Sequence, residues 1–122
     1  MKKILLFEYE AALQKTFGDT LRSEGYQLVS ATDGEVGLRL AKSETPDLII
    51  LDLILPKLNG LEVLKSLKED QQTRGIPVII LTNLGDLENI EKALRLGATT
   101  YLVKADHTLE EVIEKVKKAL SE

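Results

Sequence analysis

Short apolar runs in this chain end in residues able to do chemistry. Ile4 to Phe7 is followed by Glu8, Tyr9 and Glu10, and "DLIIL" by Asp52. "IPVIIL" is followed by Thr82 and Asn83, and "TTYLV" by Lys104. Carboxylates, a hydroxyl and an ammonium together suit phosphoryl transfer to a carboxylate, with Asp52 as nucleophile. An aspartate repels a phosphoryl group, so a hard cation must bridge their oxygens, and Mg²⁺ is the natural choice. Lys104 then neutralises phosphoryl charge, and the Thr82 hydroxyl donates to a phosphoryl oxygen. Catalysis of this kind is mostly positioning and charge stabilisation. Taken singly, each residue has a plainer reading. Asp52 can cap a turn, Thr82 can satisfy its hydroxyl at a strand end, and Lys104 can be a solvated lysine. Glu8 and Glu10 can be first-turn acids favoured by a helix dipole. Their joint placement at run ends is what argues for chemistry.

That placement depends on the elements. Strand-like runs cover residues 3–8, 27–31, 47–52, 76–81 and 99–103. Between them the apolar period is helical. Leu13, Phe17 and Leu21 recur every four residues, and Leu109, Val112, Ile113, Val116 and Leu120 trace one stripe. Thr108 with Glu111 fits a capping box, as does Thr32 with Glu35. Asn59 and Asp86 are candidate N-caps. Gly25 and Gly97 follow helices where a left-handed residue is wanted. Pro77 sits at a strand start, where its missing N–H is tolerated. "DLIILDL" and "IPVIIL" are apolar throughout, as in strands covered on both faces. Five βα units then predict an α/β fold, a doubly wound parallel sheet with helices on both sides. An eight-stranded barrel needs about twice the length. In a doubly wound sheet, sites form beyond the C-terminal strand ends, where the chemical residues fall.

Composition narrows the classes. A chain of 122 residues can bury its own core. It has no cysteine, which excludes disulfide frameworks and thiolate metal sites. No apolar run is long enough to span a bilayer or to read as a signal peptide, so a cytoplasmic location and no membrane partner are expected. The net charge is −4 and basic residues are dispersed among acids, which argues against direct nucleic-acid binding.

With these residues placed, the chain resembles the receiver domain of two-component response regulators. The stretches that carry the resemblance are "PDLIILDLILPKLNGLEVLKSLK", "IPVIILT" and "GATTYLVK". It spans essentially the whole chain, read as a single receiver domain, 1–122. It implies a five-stranded sheet in the order 2-1-3-4-5 with five helices, a flavodoxin-like or CheY-like fold. It implies Asp52 as the phosphoacceptor, Thr82 and Lys104 as its partners, and Tyr101 with Thr82 as the conformational switch. Mg²⁺ would be held by Glu8, Asp52 and the backbone carbonyl of Ile54. A sensor histidine kinase or phosphotransfer protein would supply the phosphoryl group. A downstream protein would read the face made by the fourth helix, fifth strand and fifth helix. Relatives often dimerise through that face, so a monomer or weak homodimer is expected. The domain would assist its own phosphorylation and dephosphorylation without turning over a separate substrate. The chain stops after the last helix, as expected of a single-domain regulator or a piece excised from a longer protein.

The chain departs from the family pattern at three places. Relatives usually carry two adjacent acids after the first strand, the second binding Mg²⁺ directly, and here that second position is Tyr9. A neutral phenol, with a reference pKa near ~10, is a poor Mg²⁺ ligand at neutral pH. Glu10 reaches the site only if the loop slips by one residue. Ala105 follows Lys104 where proline after a cis bond is common, so a trans bond is expected. Asn83 stands where a smaller residue is usual. With Ile54 and Leu84 apolar at positions that often admit the hydrolytic water, slow hydrolysis of any aspartyl phosphate is expected. Two functions compete: a working phosphoacceptor switch, and a pseudo-receiver that serves as a phosphorylation-independent interaction module. A flavin or nucleotide site is disfavoured, since no glycine-rich loop follows the first strand. His107 reads as a surface residue near a cap. Leu84, Leu87, Ile90 and Leu94 read mostly as core, with one or two facing outward.

Overall fold

Strands and helices alternate along the whole chain of the computed structural model, which describes residues 1–121; Glu122, the last residue of the expected 1–122 domain, lies outside the described residues. The order is β1 (Lys3–Phe7), α1 (Ala11–Ser23), β2 (Gln27–Ala31), α2 (Gly34–Glu44), β3 (Leu48–Leu51) and α3 (Gly60–Glu69). It continues with β4 (Val78–Thr82), α4 (Leu87–Arg95), β5 (Thr100–Val103), a 3₁₀ turn (Lys104–Asp106) and α5 (Leu109–Ala119). The strands form one parallel sheet in the order β2-β1-β3-β4-β5, as the resemblance implied. β1 and β3 are shorter than expected. Glu8 and Asp52 each lie one residue beyond the last paired positions, Phe7 and Leu51. Pro77 precedes β4, and its carbonyl accepts from the Ile49 N–H at 3.0 Å.

The continuous apolar strands split their side chains between two cores. Ile4, Leu6, Leu48, Ile50, Ile79, Leu81 and Leu102 face α1 and α5, where Phe17, Leu21, Val112, Ile113 and Val116 meet them. Leu5, Phe7, Ile49, Leu51, Val78 and Ile80 face α2, α3 and α4. Period-two alternation makes this partition automatic once the sheet is covered on both sides.

The helix starts largely follow expectation. Asn59 and Asp86 accept from the N–H groups of Glu62 and Asn89, and Thr108 with Glu111 forms a full capping box. One start is corrected. The cap of α2 is Asp33, whose carboxylate accepts from the Val36 N–H at 2.8 Å; Thr32 is exposed and outside the cap. Aspartate caps at least as well as threonine, and it stands at the position whose backbone is extended. Glu10 precedes α1 without a side-chain cap bond, so neither it nor Glu8 is a first-turn acid. Gly25 and Gly97 adopt φ of 95° and 107°, as the helix ends require. The apolar residues from Leu84 to Leu94 divide between the packed side and the surface, with two facing outward as expected. Leu84 and Ile90 are half-buried, Leu87 and Leu94 are exposed, and Ala93 alone is buried within the helix.

Candidate functional site

Strand register brings the chemical residues to one rim. β1 and β3 pair through Phe7 and Leu51, so Glu8 and Asp52 leave the sheet side by side. Their own N–H groups continue the ladder, Glu8 donating to the Ala31 carbonyl and Asp52 to that of Phe7. Thr82 pairs with Val103, which puts Lys104 at the same level. Glu8, Asp52 and Lys104 keep the parity of Leu6, Ile50 and Leu102, so the pleat carries all three over the α1–α5 side of the sheet. The Lys104 ammonium donates to Glu8 Oε1 and to Asp52 Oδ2, each at 2.7 Å. Glu8 Oε2 accepts from the Glu10 N–H, and Asp52 Oδ1 from the Ile54 N–H at 3.0 Å. No cis peptide bond occurs among the described residues, and Lys104 reaches Asp52 from the 3₁₀ turn with a trans Lys104–Ala105 bond.

The electrostatics follow from burial. Glu8 is 2% exposed and Asp52 6%, and buried carboxylates are held ionised only by partners. Lys104 supplies one positive charge for the two. Burial works against its own charge, but the hydrogen bonds and charges of Asp52 and Glu8 outweigh it. The ammonium therefore titrates above the ordinary lysine range. Above the cluster lies a cavity of about 70 Å³ bounded by Tyr9, Glu10, Ile54 and Asn83. Tyr9 is 59% exposed and stands at the mouth rather than the floor.

Thr82 and Tyr101 are held apart from this cluster. Thr82 has the opposite strand parity and is fully buried, and its Oγ1 accepts a long bond, 3.5 Å, from the Leu84 N–H. The Tyr101 hydroxyl donates to the Leu84 carbonyl, so one residue ties the expected switch pair together. Burial, then the charges of Asp86 and Asp52, push the Tyr101 phenol above its usual range. The Leu84 link was not legible in sequence, because it joins a side chain to a backbone carbonyl.

Two glycines also shape the site, and both were missed. A Cβ on Gly37 would lie 1.9 Å from the Phe7 ring, the residue before Glu8. A Cβ on Gly34 would lie 2.3 Å from the Leu58 carbonyl in the loop after Asp52. The Gly34 N–H donates to the Pro56 carbonyl of that loop. "DGEVG" was the available signal: glycines three apart in a helix cost stability unless something approaches closely.

Comparison with known proteins decides the family. The response regulator receiver domain model matches residues 4–117. The chain belongs to that family. Among curated receiver proteins, it is 34% identical over 119 residues to sporulation initiation phosphotransferase F of Bacillus subtilis, covering 98% of this chain and 94% of that protein. It is 40% identical over 103 residues to the alkaline phosphatase synthesis transcriptional regulatory protein PhoP of the same organism, covering 84% of this chain and 42% of that protein. The first curated relatives are longer, and this receiver domain spans 39–51% of their lengths. Its fold matches the receiver domain of sensor histidine kinase PA1611 from Pseudomonas aeruginosa PAO1 with a TM-score of 0.89 and 27% identity, covering 99% of this chain and 98% of that one. That structure holds a magnesium ion in its active site cleft.

Whether the residues of this receiver domain suit Mg²⁺ is a question of donors. Glu8 and Asp52 offer hard oxygens beside an open cavity lined by Ile54, and Mg²⁺ characteristically takes one or two carboxylates and keeps several waters. The donor set fits. It is lean, since no group of three or more acidic, histidine or cysteine side chains able to hold a metal occurs among the described residues. No helix among them is long and apolar enough to cross a membrane.

Proposed function

We propose that this receiver domain is a phosphoacceptor switch acting at Asp52. The observation that carries the reading is the clamp on that carboxylate, with Lys104 on Oδ2 and the Ile54 N–H on Oδ1, at the floor of a cavity open to a donor. A histidine kinase or phosphotransfer protein would present a phosphohistidine. An Asp52 oxygen attacks phosphorus, the P–N bond breaks, and the imidazole leaves with the bonding electron pair and takes up a proton. Lys104 already sits beside the attacked position and neutralises the added charge. Mg²⁺, held by Glu8, Asp52 and the Ile54 carbonyl, would supply charge neutralisation between acceptor and phosphoryl oxygens. Thr82 has a hydroxyl proton available and, among the described residues, its side chain is tied through its long bond to Leu84. Its movement toward the phosphoryl oxygens would shift Leu84, and with it the anchor of the Tyr101 hydroxyl. This couples the site to the face of α4, β5 and α5, which a downstream protein would read. The domain is its own substrate, with no separate turnover. Asn83, Ile54 and Leu84 around the site favour slow hydrolysis.

A second reading is favoured by Tyr9. A phenol at the mouth leaves the floor with two carboxylates, one of whose charges Lys104 already balances. The same fold would then serve as a pseudo-receiver, an interaction module indifferent to phosphate. Titrating Mg²⁺ with beryllofluoride, and following amide shifts near Asp52 and Tyr101, separates the two. Saturable Mg²⁺-dependent shifts, lost in Asp52→Asn, support the switch. Silence at millimolar Mg²⁺ that Tyr9→Asp converts into a response would establish the pseudo-receiver.

A further inference from the structure

The helical layer over β3 and β4 contains a second opening that shares no lining residue with the Asp52 cavity. α3 packs closely on α2 but only lightly on α4. Between α3 and α4 lies a groove of about 340 Å³, within the range of roughly 300–1,000 Å³ typical of small-molecule sites. Leu61 and Leu96 give it an apolar lining, extended by the aliphatic stems of Lys65, Lys92 and Arg95. The rim is cationic although the chain as a whole carries −4. Glu62 is the acid on that rim, and its carboxylate is engaged at 2.6 Å by the Asn59 side-chain amide at the helix start. Lys65 has no ion pair among the described residues. Lys92 and Arg95 pair with Glu88 and Glu91 at 2.9 and 3.8 Å, but these are exposed pairs within one helix, which bind weakly and exchange readily with a competing anion.

We propose that this groove binds a small amphiphilic anion, a carboxylate or phosphate head on an aliphatic or aromatic body. The apolar part would lie against Leu61 and Leu96, and the head would meet Lys65 and Arg95. The volume accepts one chain or ring, and the charge complementarity selects an anion over a neutral or cationic amphiphile. α3 follows the loop after Asp52, and α4 the loop after Thr82, so an occupant would sit between the two helices that grow from the site's own loops. Binding itself does not depend on phosphorylation.

The test is a titration of the isotope-labelled chain with octanoate, 1-octanol and octylammonium, read by amide shifts. Octanoate should give saturable shifts centred on Leu61, Lys65, Ala93 and Leu96. Its affinity should fall by about tenfold in the exposed-site variant Lys65→Glu/Arg95→Glu, where attraction becomes repulsion. The alcohol should bind more weakly, and the ammonium should not bind. Equal affinity for all three probes, octanoate shifts centred on Leu87 and Leu94, or undiminished binding by the charge-reversed variant would each overturn the proposal. So would binding of an acidic amphipathic peptide in the groove with no response to octanoate, which would make it a protein-docking site.

Discussion

The floor and the mouth of the Asp52 cavity follow different rules. The floor is a closed ionic cluster, with Glu8, Asp52 and Lys104 nearly removed from water and each carboxylate oxygen accepting one hydrogen bond. The mouth is made of Tyr9, Glu10, Asn83 and Ile54, all exposed. Removing one partner from the floor strands a buried charge. Changing the mouth alters access and field strength while leaving the fold alone. The two regions should therefore respond to mutation in different currencies, stability for the floor and ligand affinity or lifetime for the mouth.

The largest effect belongs to the floor. Lys104→Met leaves two buried carboxylates without their cation and should lower unfolding free energy by about 3 kcal/mol. Urea denaturation measures it. Adding Glu8→Gln should restore most of the loss; if it restores none, repulsion between the carboxylates is not the cause.

Tyr9→Asp sharpens the contrast from the other side. A further carboxylate at the mouth, beside Glu10, should tighten Mg²⁺ binding by about tenfold, or ~1.4 kcal/mol. Calorimetric titration with MgCl₂ reads this directly. A large change in stability without a change in affinity would erase the distinction between mouth and floor.

Tyr101→Phe removes the bond to the Leu84 carbonyl and should cost about 1 kcal/mol. Tyr101 and Lys104 also set the alkaline limb. Both titrate above their ordinary values when folded. Each therefore contributes stability that is complete below its unfolded pKa, ~10 for both groups, and that is lost as pH rises through the folded value. Denaturation midpoints should fall from about pH 9 to about pH 12, and less steeply in Tyr101→Phe or Lys104→Met than in the parent.

The smallest effect is kinetic. Asn83→Ala widens the path to Asp52 and should shorten the half-life of the phosphorylated protein about threefold, equivalent to ~0.6 kcal/mol of barrier. Intact mass measured over time after removal of the donor tests it. An unchanged half-life would place the barrier to water elsewhere, at Ile54 or Leu84.

Much of this was legible in the residues. Uniformly apolar strands, helical stripes and cap residues announced five βα units, because burial on two faces and on one stripe leaves different periodicities. The positions of Glu8, Asp52, Thr82 and Lys104 at run ends also came from sequence, since a doubly wound sheet exposes only its strand ends. What tertiary structure alone decided was which of these groups touch. Register and pleat sent Glu8, Asp52 and Lys104 to one side and Thr82 to the other, and a one-residue slip would have reversed that. Leu84 became the link between Thr82 and Tyr101, and Gly34 and Gly37 became seats for the loop and for Phe7, through contacts between distant segments. Local sequence records propensity and periodicity. Contacts between residues far apart in the chain are settled only when the elements pack.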